Sequence, residues 1–353
     1  MSEAIDRMAR IVTETGASDI VLAPGSAPAI WVSGKMRFLE EDKLRPEQID
    51  ALFMPLLTDQ QKAHLAEIGD LDFSIGKQGM GRFRINIHRQ RGTLSVAMRF
   101  VPYEIPVFED LGLPPRVLEF ADLPRGLVLV TGGAATGKST TLAALIDFMN
   151  ENYAYHIITL EDPIEYMFRH GKSVIEQREI GVDSPNFASA LRHVVRQRPD
   201  VVLIGEMRDL ETISTALTAA EAGHLVMASL HTNSAVQTID RIIDVFPAAQ
   251  QGQVRIQLSA ALQGICCQML FHDHLTGKLV PAAEILVPTQ AIRRAIRDSE
   301  THLIQGMIEI GASHGMQLMD AAILRLVQEG RVTPEEAIAG AQDPDKFKKA
   351  LAA

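Results

Sequence analysis

Polar and apolar positions along this chain follow two rhythms, and the change comes near Pro114. Early on, the spacing of Ile5, Met8, Ile11 and Val12 predicts an amphipathic first helix. "SDIVLAPGSAPAIWVSGKMRFL" follows, two strand-like runs parted by a Gly/Pro turn. "RPEQIDALFMPLL" predicts a helix with Pro46 in its first turn, where a missing N–H costs little. "GRFRINIHRQRG" alternates strictly, with Phe83, Ile85 and Ile87 on one face and Arg82, Arg84, Asn86 and His88 on the other. That is a half-buried strand displaying a polar, basic row. Residues 1–100 therefore read as a small α+β domain. "VPYEIPVFEDLGLPP" is proline-rich and without period, so residues 101–113 are read as the linker.

Residues 114–353 change pattern. "GLVLVTG", "HIITLED", "DVVLIGE" and "LVMASLHT" are short β-branched runs, each ending in polar residues. Helical segments alternate with them. "STTLAALIDFMNE" puts Leu142, Leu145, Ile146 and Met149 on one face, and "SAVQTIDRIIDVF" does the same for Val236, Ile239, Ile243 and Phe246. Such alternation predicts an α/β domain with a parallel-rich sheet covered on both faces. Beyond Pro247 the chain reads as mostly helical, "IQLSAALQGICCQML" included, with a hairpin at "HDHLTGKLVPAAEIL".

Composition narrows the function classes. A chain of 353 residues, 46% apolar and 22% charged, suits two globular domains. A net charge of −10 and a pI near 5.6 provide no global attraction to nucleic acid or anionic lipid, and no nucleic-acid partner is expected. "MSEAIDRMAR" lacks the apolar core of a signal peptide, and no window approaches the roughly 20 apolar residues of a membrane span. A soluble, intracellular protein is expected. Cys266 and Cys267 are adjacent, which suits neither a disulfide framework nor a metal knuckle, and they are read as small buried hydrophobes.

The candidate chemistry begins at Gly132–Gly133–Ala134–Ala135–Thr136–Gly137–Lys138–Ser139, followed by Thr140. This satisfies G-x-x-x-x-G-K-[ST] between an apolar run and an amphipathic helix, the context a phosphate loop requires. Backbone N–H groups and the helix N-terminus would cradle ATP phosphates, Lys138 would face the β- and γ-phosphates, and Ser139 would ligate Mg2+. Ala135 would cost about 1–2 kcal/mol if that position needs a left-handed backbone. It keeps its N–H, so binding is expected to survive.

The usual second motif ends in a magnesium-holding aspartate. Here Val201–Ile204 is followed by Gly205 and Glu206, and Glu206 suits a residue that polarises the attacking water. An ion pair with Arg208 is the plainer reading of the same residue. "TLEDPIEY" offers Glu161, Asp162 and Glu165 as carboxylates for the metal, or as a solvated acidic loop. His231 ends a further strand, where it could sense the γ-phosphate. Ligands of open α/β sheets bind at carboxyl ends of strands, which favours the functional readings.

"GGAATGKSTTLAALIDFMN", "TLEDPIEY", "GEMRDLET", "LHTNSAVQTIDRIIDVFP" and "GMQLMD" together make the chain resemble the secretion-type ATPases, and within them the type IV pilus retraction ATPases. The likeness covers nearly the whole chain. It implies a PAS-like N-terminal domain, a RecA-like ATPase domain and a homohexameric ring with ATP between the domains. Such a ring would work on the cytoplasmic face of the inner membrane, beneath a platform protein, removing pilin so that the pilus retracts. The resemblance places Glu161 and Glu165 in an acidic box, Gly205 and Glu206 in the divergent second motif, and His224 and His231 in a histidine box. Arg82 and Arg84, or Arg196 and Arg208, would stabilise the transferring phosphoryl group; exposed surface charge is the alternative. "AIRRAIRD" is similar to the C-terminal motif of retraction ATPases but departs from it at Arg294, Ala295 and Asp298. Extension ATPases commonly carry a four-cysteine zinc site that two cysteines cannot build. Three other readings remain: an accessory paralogue of the retraction ATPase with weak hydrolysis, since Ala134 and Ala135 stand where the family has Thr and Gly; an extension or secretion motor; and a DNA translocase, which the acidic balance disfavours.

Overall fold

The computed structural model describes residues 3–32, 35–77, 80–102 and 104–351. Tyr103, inside the predicted linker, and Ser33–Gly34, inside the second strand-like stretch, lie outside the described residues. The chain divides into two compact units, Met1–Glu104 and Ile105–Ala353.

The first unit holds helices α1 (Glu3–Thr15), α2 (Pro46–Phe53) and α3 (Asp59–Ile68). Its strands are β1 (Asp19–Leu22), β2 (Ala29–Val32), β3 (Lys35–Phe38), β4 (Asp70–Lys77), β5 (Gly81–Gln90) and β6 (Thr93–Pro102). They form one antiparallel sheet in the order β3-β2-β1-β6-β5-β4. Its core joins Ile5, Met8, Ile11 and Val12 of α1 to Ile49 and Phe53 of α2 and to Phe83, Ile85 and Ile87 of β5. Burying each large β5 side chain contributes roughly 1.5–3 kcal/mol. The alternate residues Arg82, Arg84, Asn86 and His88 are half-buried on the polar face.

The second unit begins with α4 (Pro115–Leu118). It continues through β7 (Gly126–Thr131), α5 (Lys138–Asn152), β8 (His156–Glu161), β9 (Val174–Glu179) and α6 (Phe187–Val194). Next come β10 (Val201–Ile204), α7 (Leu210–Glu221), β11 (Leu225–Leu230), α8 (Ala235–Asp244) and α9 (Ala248–Ala261). A hairpin of β12 (Leu262–His272) and β13 (Leu279–Leu286) precedes α10 (Gln290–Arg297), α11 (Ile304–Glu309), α12 (Met319–Gln328), α13 (Pro334–Gly340) and α14 (Pro344–Leu351).

The sheet runs β13-β12-β7-β11-β10-β8-β9, parallel throughout except for β13. Alternate strand residues feed opposite faces. Leu127, Leu129, Ile158, Leu160, Val202 and Ile204 pack with residues of α6 to α10, while Val128, Val130, Ile157, Val201 and Leu203 pack with Leu142, Leu145, Ile146 and Met149 of α5. Burial on both faces explains why these strands read as continuous apolar runs. The parallel direction places the ends of β7, β8, β10 and β11 along one edge.

One expectation is corrected. "IQLSAALQGICCQML" is not one helix: α9 stops at Ala261, Leu262 turns extended, and residues 262–272 form β12 between β7 and β13. Gly264 to Gln268 are buried or nearly so on both faces, so no period-two signal survives to separate strand from buried helix. Cys266 and Cys267 are buried free thiols, and burial pushes Cys267 up to about 12, which leaves it an inert thiol. Arg293 belongs to α10. It is half-buried and donates to Ser259 O at 2.6 Å and Ala260 O at 3.1 Å, covering the carbonyl end of α9.

Candidate nucleotide site

Gly132 to Gly137 turn the chain from the end of β7 into α5, and two glycines there are steric necessities. Gly132 has φ 145° and a Cβ on it would stand 2.3 Å from Gln268 O; Gly137, at φ 85°, is the residue preceding the helix. Ala135 has φ 59°, so the left-handed backbone does fall on an alanine. That observation makes its strain real, at about 1–2 kcal/mol. We expect Ala135→Gly to change nucleotide affinity by no more than about tenfold, as measured by titration with fluorescent ADP. A wholly inactive protein restored to full turnover by this change would contradict the estimate.

Lys138, first residue of α5, is 8% exposed. Its ammonium donates to Gly132 O at 3.0 Å and Gly133 O at 2.6 Å, and Nζ stands 3.5 Å from His231 Nδ1. Burial lowers its pKa, and the carboxylates of Glu206 and Glu165 oppose that shift. Ser139 is exposed at the mouth, and Thr140 Oγ1 lies 2.8 Å from Tyr166 OH.

Glu206 follows β10 and is gripped from two sides, by Arg208 Nη2 at 2.6 Å and by His231 Nε2 at 3.3 Å. Burial alone would raise its pKa, but the hydrogen bond and charge of Arg208, with the adjoining His231 ring, outweigh it, and the carboxyl sits below its ordinary value. An imidazole donating from Nε2 to Glu206 leaves Nδ1 free to accept from Lys138, so one histidine can link the cation to the carboxylate. Arg208 keeps 73% of its side chain exposed, so it can pair with Glu206 and still meet an anion.

Glu161, at the end of β8, is 8% exposed. It accepts from Thr159 Oγ1 at 2.6 Å, Gln177 Nε2 at 3.1 Å and Glu165 N at 3.4 Å. Burial dominates these bonds and raises its pKa. A carboxyl whose pKa rises on folding contributes its stability below the unfolded value and loses it as pH climbs through the folded one. Glu161→Gln is therefore expected to raise the thermal midpoint at pH 8 by a few degrees while lowering turnover, a trade usual for functional carboxylates. Melting and hydrolysis assays on the same sample check it; a lower midpoint at pH 8 would contradict it.

These groups border a cavity of about 530 Å³, a size that suits a small-molecule ligand. Ala134 to Thr140, Glu161, Glu165, Glu206, Arg208 and His231 line it, all from the second unit. Gly132 and Gly133 form the root of the loop. Two predicted positions of the second unit, His224 and Arg196, lie away from it. His224 precedes β11 at the opposite edge from His231, with Nδ1 3.0 Å from Ala219 O. Arg196 lies between α6 and β10, exposed, again at the amino ends of the strands. Arg82 and Arg84 belong to β5 of the first unit. Conversely, the structure adds Tyr166, whose residue sits inside the quoted acidic box, and the supports Thr159 and Gln177. Gln268 also joins them from β12, donating to Thr136 O at 3.0 Å. No sequence signal marks Gln268, because the apolar run that carries it reads as helix.

The described donors fit a nucleoside phosphate. The loop has a left-handed entry to a helix N-terminus, glycines where side chains would collide, and a buried lysine whose only loop partners are exchangeable carbonyls. Comparison with known proteins agrees. A family model described as type II/IV secretion system protein matches residues 1–317. The chain is 42% identical over 332 residues to the type IV pilus retraction ATPase PilT of Pseudomonas aeruginosa, covering 94% of this chain and 96% of that one. It is 36% identical over 343 residues to the type IV pilus ATPase PilU of the same organism, covering 97% and 90%. The crystal structure of the pilus retraction motor PilT with bound ADP superposes with a TM-score of 0.92 at 44% identity, covering 99% of each chain.

Proposed function

The chain belongs to the type II/IV secretion system protein family, and from that premise we propose that it is an ATP-hydrolysing motor that retracts type IV pili. The observation that carries the chemistry is the row Lys138–His231–Glu206–Arg208, set beside a phosphate loop at the carboxyl edge of a RecA-like sheet.

In this reading Glu206 orients a water and takes its proton as the oxygen attacks the γ-phosphorus. The bond from that phosphorus to the bridging β-oxygen breaks, ADP leaves with the electron pair, and the proton passes on to phosphate or solvent. Lys138 exchanges its loop carbonyls for β- and γ-oxygens, and Arg208 faces the charge that spreads over the transferring group. Ser139, with Glu161 or Glu165 through water, would hold Mg2+, which neutralises charge on the phosphates. His231, touching both Lys138 and Glu206, reports the γ-phosphate to the segment entering α8. Arg82 and Arg84, and Arg196 and His224 at the opposite edge, are assigned to contacts supplied within or between subunits of a homohexamer.

The ring would act on the cytoplasmic face of the inner membrane, against a platform protein and thereby on pilin. Among the described residues no helix is long and apolar enough to cross a membrane, which suits a peripheral motor. The PAS-like character of the first unit is part of the same proposal, supported by its six-stranded antiparallel sheet. A second reading, an accessory paralogue with weak hydrolysis, is favoured by one observation, the strained Ala135. Magnesium-dependent phosphate release by the purified protein, with its mass in solution recorded, separates the two. Robust turnover in a hexamer supports the motor; nucleotide binding with negligible turnover supports the accessory subunit.

A further inference from the structure

Cys267 pairs with Thr131 where β12 runs beside β7, so the next residue, Gln268, lies against Gly132 at the root of the phosphate loop. Gln268 is 3% exposed, and its Nε2 donates to Thr136 O at 3.0 Å across 132 residues of chain. We propose that Gln268 is a positioning residue for nucleotide binding, fixing the Thr136–Gly137 peptide so that the Gly137 N–H is presented to the phosphates. The inference rests on the nucleotide-site reading above.

Three observations converge on it. The C=O and N–H of a trans peptide point in opposite directions, so holding the Thr136 oxygen toward β12 turns the Gly137 N–H away from the strand. The loop also closes tightly on this residue: a Cβ at Gly132 would lie 2.3 Å from its backbone oxygen, and one at Gly137 would lie 3.3 Å from its side-chain Nε2, so of the two only the Gly137 contact is to the amide. Finally, Gln268 Oε1 is buried and has no hydrogen-bond partner among the described residues. A buried acceptor left open costs stability, so a methionine or leucine would serve the fold better. What the amide provides is the hold on Thr136, in a loop where the neighbouring Ala135 favours another conformation.

The test uses the full chain. Fluorescent ADP is titrated into wild type, Gln268→Met and Gln268→Glu, and melting without nucleotide and the ATP dependence of turnover are recorded on the same samples. We expect the methionine variant to bind ADP about tenfold more weakly, with KM rising more than kcat falls and the nucleotide-free midpoint equal to or above that of wild type. The glutamate variant is expected to bind more weakly still at pH 8, because a carboxylate sets an acceptor against Thr136 O. ADP affinity within twofold of wild type in both variants would overturn the proposal. So would a lowered nucleotide-free midpoint in both, because the role would then be structural. Failure of the wild type itself to bind ADP would instead overturn the nucleotide-site reading.

Discussion

Exchanging Glu206 for glutamine is expected to cut ATP turnover by about two to four orders of magnitude while leaving ADP binding within a few-fold of wild type. Glutamine keeps the side chain's shape but cannot take a proton from water. The pocket is arranged to keep the native carboxylate charged: Arg208 and His231 hold it from two sides, and its pKa lies below the ordinary 4.5 despite partial burial. The sign follows directly. A carboxyl depressed on folding contributes stability above its unfolded value, and that contribution, with the base itself, is lost only as pH falls through the depressed one. The acid limb of turnover should therefore lie below the range of an ordinary carboxylate, and Arg208→Ala should move it upward. Arg208 is largely exposed, so solvent screening keeps the pair's share of stability small. Phosphate release across pH for the three proteins measures all of this. A Glu206→Gln protein that still turns over at a tenth of the native rate would remove Glu206 from the chemistry.

Lys138→Ala should weaken ATP binding about ten- to a hundredfold, the scale of losing charge-assisted hydrogen bonds to phosphate. The ammonium is already in the loop, held by Gly132 O and Gly133 O, and its burial means that no other cation can swing in from solvent to replace it. Alanine would also take the ammonium from Gly132 O and Gly133 O, of which Gly133 O keeps the Thr136 hydroxyl at 3.1 Å, so the loop loses part of its bracing as well as a charge. Titration with fluorescent ATP at fixed magnesium is the measurement. Affinity unchanged within twofold would mean that the loop grips nothing at this position.

Much of this site could be read before any coordinates, for identifiable reasons. Phosphate loops are local, and the run from Gly132 to Ser139 carries its spacing and its flanking strand and helix in one stretch. Strand ends were legible as well: Glu161, Glu206 and His231 each close a β-branched run, and a parallel sheet then aligns them. Local pattern could not convey depth or direction. His224 and His231 look equivalent in sequence, yet β11 separates them by its full length. Glu161 reads either as a metal carboxylate or as one member of a solvated acidic loop, and its depth, set by Thr159 and Gln177, which draw it into the sheet, is not legible there. β12 was missed because a strand buried on both faces has no alternation, and Gln268 was lost with it. β9 was missed for another reason: "VIEQRE" is polar along an edge and carries no apolar run to notice.

Hydrolysis in this pocket is proposed to retract a pilus. The most direct test is to express the chain in a piliated bacterium lacking its own retraction ATPase and to record single-pilus retraction, with Glu206→Gln at matched protein level alongside. Wild type is expected to restore retraction events and Glu206→Gln to restore none. Wild-type protein that hydrolyses ATP in vitro but leaves the pili extended would contradict the proposal, and would move this chain to an accessory or extension role.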